Sequence, residues 1–211
     1  MTKQAEKNQF ERRTITLKEL KVVDALEETG GEPAIEGYAS VFDSWSEELG
    51  GSSPFREKVV KGAFEETIQN DDIRALFNHD PNYVLGRNKA GTLTLEEDDK
   101  GLKVKIIPPN TTWAKDLLTS IKRGDITQMS FGFTVILDRW SYEDSTDVRE
   151  LLKVKLFDVS PVTFPAYTQT ECGIRSMFDI MRTHQTEVAK SKDTNKRKLE
   201  MQKQKLKFMG D

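Results

Sequence analysis

Polar and apolar or β-branched residues alternate along 14–20 (TITLKEL) and 34–42 (AIEGYASVF). A period of two sends successive side chains to opposite faces of an extended backbone, so both stretches predict half-buried strands. Residues 43–54 (DSWSEELGGSSP) offer no apolar face and predict a surface loop. The period lengthens in 61–70 (KGAFEETIQN), where Phe64 and Ile68 stand four apart, and a short helix is expected. Three extended runs follow at 73–80 (IRALFNHD), 92–98 (TLTLEED) and 101–108 (GLKVKIIP), separated by Pro81-Asn82, Gly91 and a tight turn at Asp99-Lys100-Gly101. Pro108-Pro109-Asn110-Thr111 then offers a hydroxyl or amide cap, and Trp113, Leu117 and Ile121 recur every four residues up to Gly124, the pattern of an amphipathic helix. Two long extended runs, 125–140 and 151–164, flank a polar, acidic segment (WSYEDSTDVRE) that reads as a mobile loop, and these two runs should pair.

Strands outnumber helices along this pattern, which predicts a mainly β fold with a few helices, closed into an antiparallel β barrel. A length of 211 residues suits one folded domain, but with 36% hydrophobic and 32% charged residues not all of the chain is expected to pack. The expected organisation is a flexible arm at 1–13, a barrel domain at 14–176 and a lysine-rich flexible tail at 177–211. From Met181 onward nine Lys/Arg face four Asp/Glu, so that segment carries +5 and the rest of the chain −8.

Cys172 is the single cysteine, which excludes an internal disulfide and a multi-cysteine zinc site and suits a reducing compartment. No run approaches the roughly 20 apolar residues of a membrane span, and the start lacks a signal-peptide core, so a cytoplasmic protein with no membrane partner is expected. There is no H-E-x-x-H, P-loop or dinucleotide glycine pattern, and neither a metal nor a cofactor is expected. The acidic body opposes specific nucleic-acid binding, and the tail reads as solvated or protein-binding.

Hydrolysis through a nucleophile needs a hydroxyl or thiol, a base, and a group that orients the base. The base is scarce: of two histidines, His184 falls in the lysine-rich tail, leaving His79 at the end of an apolar strand (ALFNHDPN). Taken alone, His79 fits a surface turn as well as a base. Ser130 lies in an apolar strand (QMSFGF) with a glycine two residues on, a setting equally open to a structural hydroxyl. Cys172 is the competing nucleophile, with no obvious base nearby. Asp158, between Phe157 and Val159, needs either a partner or an outward orientation. Asp80 is a weaker orienter, since neighbours in an extended chain point apart.

The ordered blocks EGYASVF, FREKVVKGAFEETI, IRALFNHDPNYVLGR, GTLTLEEDDKGLKVKIIPP, IKRGDITQMSFGF and KLFDVSPVTFPAY together resemble the HK97-type phage prohead protease family, from about Glu36 to about Thr170. The resemblance implies a herpesvirus-assemblin-like β barrel and a serine endopeptidase. It matches Ser130 to the nucleophile, His79 to the base and Asp158 to the third, acidic member, where family members often carry glutamate. It also implies the partners: the major capsid protein with its scaffolding segment, and further copies of the protease itself, through self-cleavage and as a homo-oligomer. The implied place is the procapsid interior in the host bacterial cytoplasm. Backbone N–H groups near Phe131-Gly132 or the Arg87 side chain are the candidate oxyanion donors. The rival reading is a non-enzymatic β-barrel assembly or scaffold protein of the phage head, with Ser130 structural and His79 incidental.

Overall fold

A computed structural model describes residues 2–4, 10–15, 19–24, 31–50 and 53–164. The described strands run β1 (Thr2–Gln4), β2 (Phe10–Ile15), β3 (Lys21–Val23), β4 (Ala34–Val41) and β5 (Phe55–Val59). Helix α1 (Glu65–Asn70), β6 (Arg74–Phe77), β7 (Asp80–Arg87), β8 (Leu93–Glu97) and β9 (Gly101–Ile106) follow. Helix α2 (Thr112–Arg123) then leads into the two longest strands, β10 (Gln128–Glu143) and β11 (Thr146–Val162). Among the described residues no helix is long and apolar enough to cross a membrane.

The β10–β11 hairpin is the spine of the molecule. It is so long that each outer edge takes two short strands: β1 and β2 pair antiparallel with β10, while β5 and β6 pair parallel with β11. With β7 on β6 this makes a seven-stranded sheet, and β3-β4-β9-β8 forms a second, antiparallel sheet of four. The sheets meet at one corner through the isolated parallel bridge Phe42↔Val59. The expected closed antiparallel barrel is therefore corrected to an open half-barrel, with some parallel pairing, facing a smaller sheet. Alternation reports which face of a strand is buried, but neither the direction of its neighbour nor whether the last strand returns to the first.

The core lies between the sheets, where Phe64 packs edge-on against Phe131 at 5.5 Å between ring centroids and Phe131 stacks on Phe133 at 4.9 Å. Helix α1 starts at Glu65, within the run 61–70 and after Gly62. The turn before it is held from β8 by the Glu97 carboxylate, which accepts from the Gly62 and Phe64 N–H groups at 2.9 and 2.8 Å. Helix α2 runs as the four-residue spacing predicts, with Leu117 and Ile121 buried and Gly124 closing it at φ +83°. Pro81 is tolerated inside β7 because that strand lies at the edge of its sheet.

Two expectations shift in register. The strand expected at 14–20 begins earlier, at Phe10, and ends at Ile15, so residues 10–13, assigned to the arm, belong to β2. The acidic segment 140–150 is no loop: strand pairing continues to Glu143↔Thr146, and only Asp144 and Ser145, at φ +46° and +66°, make the turn. The polarity around Tyr142, which is 71% exposed, reflects a hairpin tip projecting past the core. The tail at 177–211, with Cys172 and His184, lies outside the described residues.

A buried ion cluster ties β2 to the spine. Arg149 on β11 donates to Asp138 on β10 (2.8 Å), Glu57 on β5 (2.9 Å) and Glu11 on β2 (3.1 Å), and Arg13 on β2 bridges Glu57 (2.7 Å) and Glu11 (2.6 Å). Burial would push the Glu11 carboxyl up, but Arg149 and Arg13 outweigh it and hold it below its ordinary 4.5. Burial likewise opposes the charge on Arg149, yet Glu11, Glu57 and Asp138 hold it above its ordinary value. Buried charges persist where partners replace the lost water.

Two outcomes are expected. Phe64→Ala, which empties the aromatic centre, should lower unfolding free energy by about 3–5 kcal/mol in denaturant titrations. A carboxyl lowered by folding contributes stability that is complete above its unfolded value and is lost as pH falls through the folded one. The denaturation midpoint should therefore drop below pH 4.5, and less steeply in Glu11→Gln than in the wild type.

Candidate active site

Alternation along β10 sends Met129, Phe131 and Phe133 to the core and places Ser130 and Gly132 on the other face. The hairpin register then sets Ser160 opposite Ser130 and Asp158 opposite Gly132, so a serine and an aspartate of β11 share that face. Immediately beyond, Phe133 pairs with Leu156, leaving Phe157 as the extra residue of a β-bulge. The bulge turns Phe157 outward against Phe10 (5.7 Å between centroids), while Asp158 stays over β10. Gly132 is what lets it stay: a Cβ there would come within 2.4 Å of Asp158 Oδ2 and 2.6 Å of the Phe10 ring.

His79 arrives from another strand pair. Phe77 of β6 pairs with Asp80 of β7, so Asn78 and His79 are the two turn residues, at φ +53° and +57°. Positive φ at both positions is the type I′ pattern, which favours Asn followed by Gly. A histidine in the glycine place carries backbone strain of about 1–3 kcal/mol, offset by contacts that fix the turn. Asn78 supplies them: its N–H donates to Pro161 O (3.0 Å), its side-chain amide to Thr163 Oγ1 (3.1 Å), and its Oδ1 accepts from the Thr163 N–H (2.9 Å). The clamp fastens the histidine turn to the end of β11, the strand that carries Asp158.

The three side chains named from the sequence meet. His79 Nδ1 lies 2.5 Å from Asp158 Oδ1, and His79 Nε2 lies 2.7 Å from Ser130 Oγ. An ionised carboxylate only accepts hydrogen bonds, so the Nδ1 side of the ring carries the proton and the Nε2 lone pair faces the serine. Ser160 Oγ donates to Asp158 Oδ1 at 2.8 Å, giving the carboxylate a second donor. The His79 and Asp158 side chains are only 6% and 8% exposed, and Ser130 is wholly buried. A hydroxyl, an imidazole with a free lone pair and a buried carboxylate in this order can abstract a hydroxyl proton and stabilise the imidazolium that results.

Other candidates fall elsewhere. Asp80 turns away from His79 and accepts from the Asn82 N–H at 2.8 Å. Arg87 makes a bidentate pair with Asp72, 2.7 Å for both contacts; with Arg74 it holds the Asp72 carboxyl at about 2. Arg87 is thus already engaged. Among the described residues no three His, Cys, Asp or Glu side chains converge as a metal site requires. Sequence reasoning passed over Ser160 and Asn78. Ser160 was findable, being two residues from Asp158 in the same strand, and Asn followed by one residue before a new strand is a two-residue turn signal.

Two substitutions separate the clamp from the carboxylate. Gly132→Ala should push Asp158 off β10, and Asn78→Ala should free the turn. Proton NMR should show a downfield His79 Nδ1–H signal in the wild type, lost in Gly132→Ala and broadened in Asn78→Ala. An unchanged signal in both would remove these roles.

Residues 18–185 match the family described as Caudovirus prohead serine protease. The prohead protease of Enterobacteria phage HK97 is 30% identical over 151 residues, 70% of this chain and 61% of that protein's length. Among solved structures, the capsid assembly protease of bacteriophage T4 superposes with a TM-score of 0.48 at 13% identity, covering 74% of this chain and 99% of that one. With the family match spanning most of its length, from the strands of the small sheet through both strands of the spine, the chain belongs to the caudovirus prohead serine proteases.

Proposed function

We propose that the chain is a serine endopeptidase that cleaves the scaffolding segment of a phage capsid protein, and itself, inside the procapsid during head maturation. The observation that carries the reading is His79 bridging Ser130 and Asp158 through its two ring nitrogens at 2.7 and 2.5 Å, in a chain of this family.

In the mechanism this supports, the Ser130 proton passes to His79 Nε2 as Oγ forms a bond to the scissile carbonyl carbon. Asp158 holds the ring by its Nδ1–H and stabilises the charged imidazolium. As the intermediate collapses the C–N bond breaks, and Nε2 returns the proton to the leaving amine. Water then attacks the acyl-enzyme, giving its proton to Nε2, and the C–Oγ bond breaks as that proton goes back to Ser130. Ser160 keeps the Asp158 carboxylate from rotating, and the Asn78 clamp keeps the ring within reach. Residues 177–211 serve in this reading as a cationic assembly handle whose loss on self-cleavage accompanies maturation.

Co-expression with the cognate capsid protein gives the test. The wild type should yield shortened capsid protein, while Ser130→Ala and His79→Ala should leave it at full length. Equal processing by all three would sink the assignment of Ser130 and His79, and processing by none would favour a scaffold protein without chemistry. Asp158→Asn should slow cleavage about 10⁴-fold by favouring the wrong tautomer. Cys172→Ser should process normally, and its failure would move the nucleophile to the thiol.

A further inference from the structure

The Ser130 hydroxyl carries one proton and faces two acceptors. One is His79 Nε2 at 2.7 Å; the other is the main-chain carbonyl of Arg13, at 2.9 Å on β2. A proton given to Arg13 O is withheld from the histidine, so the second contact competes with activation of the serine. Strand β2 also lies across the nucleophile, with Thr14 directly opposite Ser130 and Arg12 opposite Gly132. Its ladder consumes the backbone donors along that edge of β10, and Ser130 is left with no exposed surface. Arg13 O therefore stands directly against Oγ, on the side of Ser130 that β2 covers.

The way β2 is held suits a strand that can leave. Between Phe10 and Thr14 its only buried residue is Glu11, and Phe10 is 44% exposed, so the strand gives the core no apolar side chain over these positions. Its charged side chains, Glu11 and Arg13, hold it by buried ion pairs, and Phe10 rests on the half-exposed Phe157 ring. If both departed together, Arg149 would keep Glu57 and Asp138 as partners, so no buried cation would be stranded. The uncovered β10 edge, from Met129 to Thr134, would present free backbone groups to an extended segment, flanked by the exposed Phe157 ring.

We propose that β2 is a displaceable, self-inhibiting occupant of the catalytic edge of β10, and that an extended peptide substrate pairs with Met129–Thr134 in its place. The proposal rests on the protease reading above. It makes exposure of the nucleophile a separate step from the chemistry, gated by one strand.

Access can be measured without catalysis. In a full-length Ser130→Cys, Cys172→Ser background, iodoacetamide modifies only the introduced thiol, and mass spectrometry follows its rate. Adding Glu11→Gln with Arg13→Gln removes one charge of each sign and unlatches β2. The expected change is alkylation faster by about tenfold or more, as a loss of about 1.4 kcal/mol in strand docking would give. Deletion of residues 1–15 is the second variant and should react at least as fast. If both react no faster than the latched protein, or both lose their folded circular dichroism, β2 is a structural strand and the proposal fails. Faster alkylation, combined with uncleaved capsid protein when Ser130 is restored in the unlatched chain, would keep the gating and remove the protease reading.

Discussion

The register of β10 against β11 is the constraint on which the site depends. Ser130↔Ser160 and Gly132↔Asp158 are adjacent cross-strand pairs on one face of a single hairpin. A slip of one residue would turn Ser130 into the core and bring Phe131 out, because side chains alternate with a period of two. That slip is opposed by the stacked rings of Phe131 and Phe133 on the far face and by the bulge at Phe157, which spends one residue of β11 to keep both partners in phase. The apolar face of the hairpin thus determines where its polar face can do chemistry.

The histidine is positioned by a different device. It stands at the tip of a two-residue turn in a conformation that glycine would adopt more readily, and Asn78, bonded to Pro161 and Thr163, holds it there. The clamp ends on β11, so the histidine, the aspartate and the serine's pairing partner all refer to one strand. Relative positions set by a single rigid element vary less than positions set through independent loops. Strain at the turn is sustained because the surrounding hydrogen bonds over-determine it.

Much of this was legible in the sequence. The alternation in 34–42, 92–98 and 101–108 and the four-residue spacing in 111–124 fall close to β4, β8, β9 and α2, because each buries one face and leaves the other wet. The scarcity of histidine pointed to His79, and the blocks around Ser130 and Asp158 to the side chains it contacts. What escaped depends on relations between distant segments. The parallel pairing of β5 and β6 with β11 leaves no mark on any one strand, so an open sheet read as a closed barrel. The segment 140–150 read as a loop because it is polar, although its tip is polar because the hairpin outgrows the core and Arg149 because it joins the buried ion cluster. Glu11 and Arg13, 138 and 44 residues from Arg149 and Glu57, look like surface charge until the fold buries them together.

The same burial explains why β2 can be firmly seated while Phe10–Thr14 give the core no apolar side chain. A strand anchored by apolar side chains would expose them on leaving, at roughly 25 cal/mol for each Å² uncovered. A strand anchored by Glu11 and Arg13 instead carries out one charge of each sign and returns both to water, where each is well solvated. Arg149 stays behind with two carboxylates. Docking through paired charges and a backbone ladder is specific in register and reversible in energy, the combination required of a strand that lies over the serine in one state and yields the same edge to another chain in the next.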